Sequence, residues 1–154
     1  MISPLLRVED LTVSFPGPEG PTRVLDHVLF AVCPNEVLGM VGESGSGKTM
    51  TSLAVIGLLP RAARVEGGRI WFDGRDLLSL SERELLQIRG REIAMVFQSP
   101  RAALNPLMRV GDQVARAVRL HSGGADGETH ERAIELLRHV GISDAVARAR
   151  AYPH

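Results

Sequence analysis

Apolar and polar positions alternate in two runs near the start of the chain. Leu6, Val8, Leu11, Val13 and Phe15 make the first, imperfectly, and the Pro- and Gly-rich residues 16–21 follow it, which predicts a strand and then a loop. Residues 24–32 make the second and end at Pro34-Asn35-Glu36, where Asn35 suits a left-handed turn. The two runs predict an antiparallel pair. Residues 37–41 break the pattern: they are almost wholly apolar, as in a strand buried on both faces of an α/β sheet, and they lead into a Gly-rich loop. Residues 49–59 then place Leu53, Ile56 and Leu59 at helical spacing and stop at Pro60.

Residues 69–72 followed by Asp73-Gly74 predict a strand and a turn. Ser81 and Glu84 have capping-box spacing, opening a short helix that ends near Gly90. Residues 93–97 predict another apolar strand, ending at Gln98. Beyond it, Val110, Val114 and Val118 lie four apart on one helix face within residues 110–121. Residues 122–127 predict a flexible link, Ile134, Leu137 and Gly141 mark a second helix with its stop, and residues 143–151 allow one more short helix.

Composition narrows the classes. The 154 residues carry 18 Lys+Arg and 18 Asp+Glu, so bulk basic charge for nucleic acid is absent. Apolar stretches fall far short of the roughly 18 residues a membrane span needs. No signal-peptide pattern opens the chain, which predicts a cytosolic location. Cys33, the single cysteine, has no disulfide partner within the chain and predicts a small buried hydrophobe. Seventeen of the 18 basic residues are Arg, and the one Lys is Lys48.

That Lys closes Gly42-Glu43-Ser44-Gly45-Ser46-Gly47-Lys48-Thr49, which fits Gly, four residues, then Gly-Lys-Ser/Thr, between an apolar run and a helix start. Gly42, Gly45 and Gly47 predict a backbone free to turn successive N–H groups inward around an anion, and the helix adds its positive end. Lys48 then reaches the β- and γ-phosphates and the Thr49 hydroxyl meets Mg²⁺, and the expected nucleotide-binding residues run from Gly42 through Glu43, Ser44, Gly45, Ser46 and Gly47 to Met50. The bland alternative, a Gly/Ser loop that matches by accident, leaves the strand–loop–helix setting unexplained. An Mg-nucleoside triphosphate follows as ligand class; the reaction does not, because kinases, GTPases and transport ATPases share the loop.

With Leu11-Thr12-Val13-Ser14-Phe15, Pro34-Asn35-Glu36-Val37-Leu38-Gly39, the loop itself, Ile93-Ala94-Met95-Val96-Phe97-Gln98 and Ala103-Leu104-Asn105-Pro106, the chain resembles the ATP-binding subunit of ABC transporters. Leu104-Asn105-Pro106 and the terminal Tyr152-Pro153-His154 resemble the oligopeptide/dipeptide/nickel importer branch. The resemblance implies an α/β fold: a P-loop NTPase, ABC-type nucleotide-binding domain, incomplete, with an antiparallel β part and the start of a helical subdomain. It implies one incomplete domain over residues 1–154, with the ATP-binding core and β part at 1–98 and the helical subdomain beginning at 99–154. It makes Gln98 the glutamine that meets Mg²⁺ and the attacking-water region, and Phe15 an aromatic that stacks on adenine, where the family more often has Tyr. Asn35 stands for a more usual Gly and Ser99 for a more usual acidic residue, which leaves the phosphate contacts intact and the glutamine loop's geometry open.

The resemblance further implies ATP and Mg²⁺ as cofactors and, as partners, permease transmembrane subunits, a second ATP-binding subunit and, indirectly, a solute-binding protein. No nucleic acid is expected, and the location is the cytoplasmic face of the inner membrane, held peripherally. His121-Ser122-Gly123-Gly124-Ala125 imitates the family's Ser-Gly-Gly signature but sits in a link, and Ile70-Trp71-Phe72-Asp73 is followed by Gly74 instead of the catalytic Glu. The chain is therefore expected to stop before the family's second catalytic half, leaving an exposed apolar edge at residues 37–41 and marginal stability alone. The rival readings are a nucleotide-binding or regulatory fragment without hydrolysis, and a chromosome-maintenance ATPase, which neutral charge and Leu104-Asn105-Pro106 disfavour.

Overall fold

A computed structural model describes residues 3–99 and 103–154. They form two compact units, Met1–Met95 and Val96–His154, where the sequence reading divides the chain at 98/99.

In the first unit four strands make an antiparallel sheet in the order β2-β1-β3-β4. Strand β1 (Leu6–Phe15) lies between β2 (Thr22–Val32) and β3 (Arg64–Phe72), and β4 (Arg75–Asp76) is the short edge. The predicted pairing of the two alternating runs holds, from Leu6 opposite Val32 to Phe15 opposite Thr22. Inward-facing Val8, Leu11, Val13 and Ile70 are completely buried, each contributing roughly 1.5–3 kcal/mol against solvent exposure. Asp73 and Gly74 turn β3 into β4 with φ of 47° and 75°, the two left-handed residues that a tight right-twisting hairpin requires.

Helix α1 (Lys48–Val55) closes this core with Thr51, Ala54 and Val55. It ends before the predicted residue 59. Gly57 at φ 65° donates to Ala54 O and the next N–H, of Leu58, donates to Leu53 O, so the left-handed glycine stops the helix three residues ahead of Pro60. Helix α2 (Glu82–Ile88) has the predicted capping box: Glu84 N–H donates to Ser81 Oγ, and Ser81 N–H donates to Glu84 Oε2. Asn35 takes its left-handed conformation at φ 62°.

Two predicted strands are not formed. Residues 37–41 pair with no strand among those described, and Val37 and Val41 are 95% and 96% exposed. Residues 93–97 show only an isolated bridge between Ile93 and Arg89, with Val96 92% exposed. The reason is common to both. An apolar run becomes a strand only where a neighbour takes its N–H and C=O groups, and the four described strands pair among themselves. Cys33 is half-buried, more open than expected.

The second unit packs α3 (Val110–Ser122), α4 (Asp126–His139) and α5 (Ala145–Arg150) around small side chains: Ala115, Ala133, Ala145 and Ala149 are buried. Gly111 approaches α5 so closely that a β-carbon there would meet Ala149 O at 2.8 Å. The predicted link is shorter than residues 122–127, because Ser122 still belongs to α3 and Asp126 and Gly127 to α4; Gly123 and Gly124, at φ 70° and 107°, make the break.

Candidate phosphate-binding site

The loop at residues 42–47 enters α1 through Gly47, which caps the helix at φ 89° with no side-chain bond to the first turn. The first intrahelical bond is Thr51 N–H to Gly47 O at 2.8 Å, so the N–H groups of Lys48, Thr49 and Met50 precede it and are free for another acceptor. No acidic residue stands in that turn to neutralise the positive helix end. Backbone donors without a cap, at the start of an uncompensated helix, are the kind of group an anion takes up.

Lys48 defines its mouth. Its Nζ donates to Gly42 O and Glu43 O, both at 2.7 Å, and to Ser46 Oγ at 3.1 Å, so three loop oxygens take its three donors. Phosphate oxygens are stronger acceptors than these and compete for the same ammonium. Ser46 N–H donates to Glu43 O at 3.2 Å and rounds the loop. Of the three loop glycines, Gly45 and Gly47 hold the left-handed conformations expected. Gly42 does not. A β-carbon there would meet Ser46 Oγ at 2.7 Å, so the serine side chain would have to shift. Glu43, Ser44, Gly45 and Ser46 are exposed, Lys48 is half-buried, and Thr49 presents its side chain to solvent. Met50 packs its side chain on the core.

The donor set fits a nucleotide's phosphates. Among the described residues no group of three or more His, Cys, Asp or Glu could hold a metal ion, and an Mg²⁺ carried in on phosphate oxygens would find the Thr49 hydroxyl at the start of the helix.

Sequence reasoning missed the loop's backing. The Leu25 side chain and Val24 carbonyl of β2 stand directly against Gly47. Val13 is the β1 partner of Leu25, and Phe15 lies two residues further along the same strand, about 7 Å at ~3.3 Å per residue. Phe15 is half-buried at this end of the sheet. Gln98 is exposed at a bend in the second unit and, because residues 93–97 are unpaired, it does not end a strand as expected.

Residues 25–153 match the family model described as ABC transporter. The chain is 43% identical over 150 residues to the dipeptide transport ATP-binding protein DppD of Escherichia coli, covering 97% of this chain and 46% of that protein. It is 47% identical over 151 residues to the probable peptide ABC transporter ATP-binding protein y4tR of Sinorhizobium fredii, covering 97% and 45%. The chain thus spans about half the length of the curated relatives it matches. Among solved structures, the dimeric bacterial ABC transporter cassette MJ0796 superposes with a TM-score of 0.80 at 24% identity, over 96% of this chain and 61% of that one. The shared fold is the ABC-type P-loop domain read from the sequence, represented in part. A family match over residues 25–153, with the loop geometry above, places this chain in the ABC transporter family.

Proposed function

We propose that the chain binds Mg-ATP through residues 42–50 and forms the amino-terminal part of the ATP-binding subunit of an importer for peptides or similar small solutes. The observation that carries the binding reading is Lys48 Nζ held by three loop oxygens at the start of an uncapped helix. Lys48 would hold the β- and γ-phosphates, the N–H groups of residues 48–50 would receive phosphate oxygens, and Phe15 would stack on the adenine. The Thr49 hydroxyl, with the phosphates, would hold Mg²⁺, which when bound would supply charge neutralisation on the phosphate oxygens. Gln98 enters on the family pattern, as the residue whose amide accepts from water and donates toward the γ-phosphate.

The solute class is carried by the names of the relatives, which are dipeptide and peptide transport proteins. In this reading the partners are permease subunits and a second ATP-binding subunit, with a solute-binding protein acting indirectly, at the cytoplasmic face of the membrane. The 154 residues bind nucleotide without turning it over, since neither Ser122-Gly123-Gly124 nor Asp73-Gly74 supplies a signature or a general base. Calorimetric titration with Mg-ATP and a phosphate-release assay test both halves. A saturable isotherm with no release is expected; absence of binding overturns the first half, and steady release overturns the second.

A further inference from the structure

We propose that Asp10 and His27 are a positioning pair that sets the Phe15-bearing end of the β1–β2 hairpin against the phosphate loop, and so tunes affinity for the base of a nucleotide independently of its phosphates. The proposal rests on the nucleotide-binding reading above.

Three adjacent strands break their ladder at one level. Asp10 on β1 and His27 on β2 both stand at φ 51°, and Gly68 on β3 at φ 95°. The register shifts on both sides of β1 there, between Val8 and Leu11 toward β2 and between Glu9 and Thr12 toward β3. Gly68 lets the β1 backbone come close, for a β-carbon on it would meet Glu9 O at 2.5 Å and Asp10 O at 2.6 Å. Left-handed residues without glycine's freedom are strained, and bulges bend strands. The part of the hairpin beyond this fault contains Val13, Leu25, Val24 and Phe15, the stretch that backs Gly47. In the proposal, the angle of the fault sets how this end of the hairpin, and Phe15 with it, lies against the loop.

What spans the fault is a contact between the two strained residues. His27 Nδ1 lies 2.5 Å from Asp10 Oδ1, and His27 N–H donates to Thr12 Oγ1 at 3.3 Å. The charged groups around the imidazole are Asp10 on β1, Asp26 at 3.8 Å from Nε2, and Arg23 further along β2. Strand β2 is the sheet edge, and α1, which meets it near Leu25, carries Lys48 as its one charged residue. The hydrogen bond and charge of Asp10, with Asp26 adding, raise the imidazole's pKa above its ordinary 6.5. The ion pair is therefore favoured on the acid side and gives way to a neutral hydrogen bond as pH rises through the imidazole's elevated value.

The test is calorimetric titration of the full chain with Mg-ATP and with Mg-tripolyphosphate, which has the phosphates and no base, at pH 6 and pH 9. Asp10→Asn keeps a residue that tolerates φ above zero and removes the charge; His27→Asn does the same from the other side. At pH 6 each variant is expected to bind Mg-ATP about threefold more weakly, the scale of one exposed ion pair, and tripolyphosphate as tightly as the unaltered chain. At pH 9 the gap should narrow. Equal losses for both ligands, no loss for either, or a gap independent of pH would overturn the proposal. Failure of the unaltered chain to bind either ligand is a separate outcome that removes the nucleotide reading itself, and the proposal with it.

Discussion

Gly47 stands against Leu25 so closely that a β-carbon on it would lie 2.8 Å from Leu25 Cδ2 and 3.0 Å from the Val24 carbonyl oxygen. One residue thus serves as helix cap, anion donor frame and contact with the sheet. With φ at 89° it is also held where L side chains are strained. Gly47→Ala should cost about 1–3 kcal/mol of stability and weaken Mg-ATP binding at least tenfold. Urea denaturation beside calorimetry separates the two effects, and an alanine variant with unchanged stability would refute the contact.

Arg89 ties the far end of α1 to α2. Its side chain is 16% exposed; Nε donates to Ile56 O and Nη2 to Gly57 O, both at 2.7 Å, while Nη1 meets Glu82. A guanidinium reaches two carbonyls and a carboxylate at once, and an ammonium does not. Arg89→Ala should lower unfolding free energy by about 1–3 kcal/mol, with Arg89→Lys recovering only part. Full recovery by lysine in urea denaturation would show that charge alone matters.

Two carboxylates contribute to the acid limb. The hydroxyl and N–H of Ser81 hold Glu84 below its ordinary 4.5, and the Arg75 guanidinium holds Glu92 below it as well. Their stabilisation is complete above pH 4.5 and is lost as pH falls through the depressed values. His27 has the opposite sign: raised from 6.5, it stabilises below that pH and loses its effect as pH rises through its elevated value. Denaturation midpoints measured from pH 3 to pH 9 check this. Glu92→Gln should flatten the acid limb and His27→Asn the alkaline one.

Val37 and Val41 stand almost fully open to water on a segment that has no strand partner among the described residues. Unpaired apolar backbone is a template for association. The chain alone should self-associate as concentration rises, and Val37→Lys should suppress this without altering Mg-ATP affinity. Sedimentation across a concentration series decides, and a monomer throughout would contradict the expectation.

Local chemistry was legible in the sequence and long-range pairing was not. Ser81 and Glu84 and Asn35 take the conformations their side chains favour, and the glycines at 45 and 47 those open to a residue without a β-carbon, because each is decided within four residues. Residues 37–41 and 93–97 were misread because an apolar run records that something should cover it but not what does. The fault at Asp10 and His27 left a trace. Apolar spacing in β1 jumps from Val8 to Leu11, an odd step that a period of two forbids, and the polar pair Glu9-Asp10 fills it. The role of Val24 and Leu25 behind Gly47 left none, since a close approach between distant segments has no signature in either one.

The central claim is that this loop holds a nucleotide's phosphates through Lys48, the one lysine in a chain that otherwise uses arginine for positive charge. A compact ammonium fits among Gly42 O, Glu43 O and Ser46 Oγ, and a guanidinium fork does not. Calorimetric titration of Mg-ATP into the unaltered chain, Lys48→Ala and Lys48→Arg tests this most directly. Both substitutions should weaken binding by about a hundredfold, a loss of ~2.7 kcal/mol, with arginine no better than alanine. Unchanged affinity in Lys48→Ala would contradict the account.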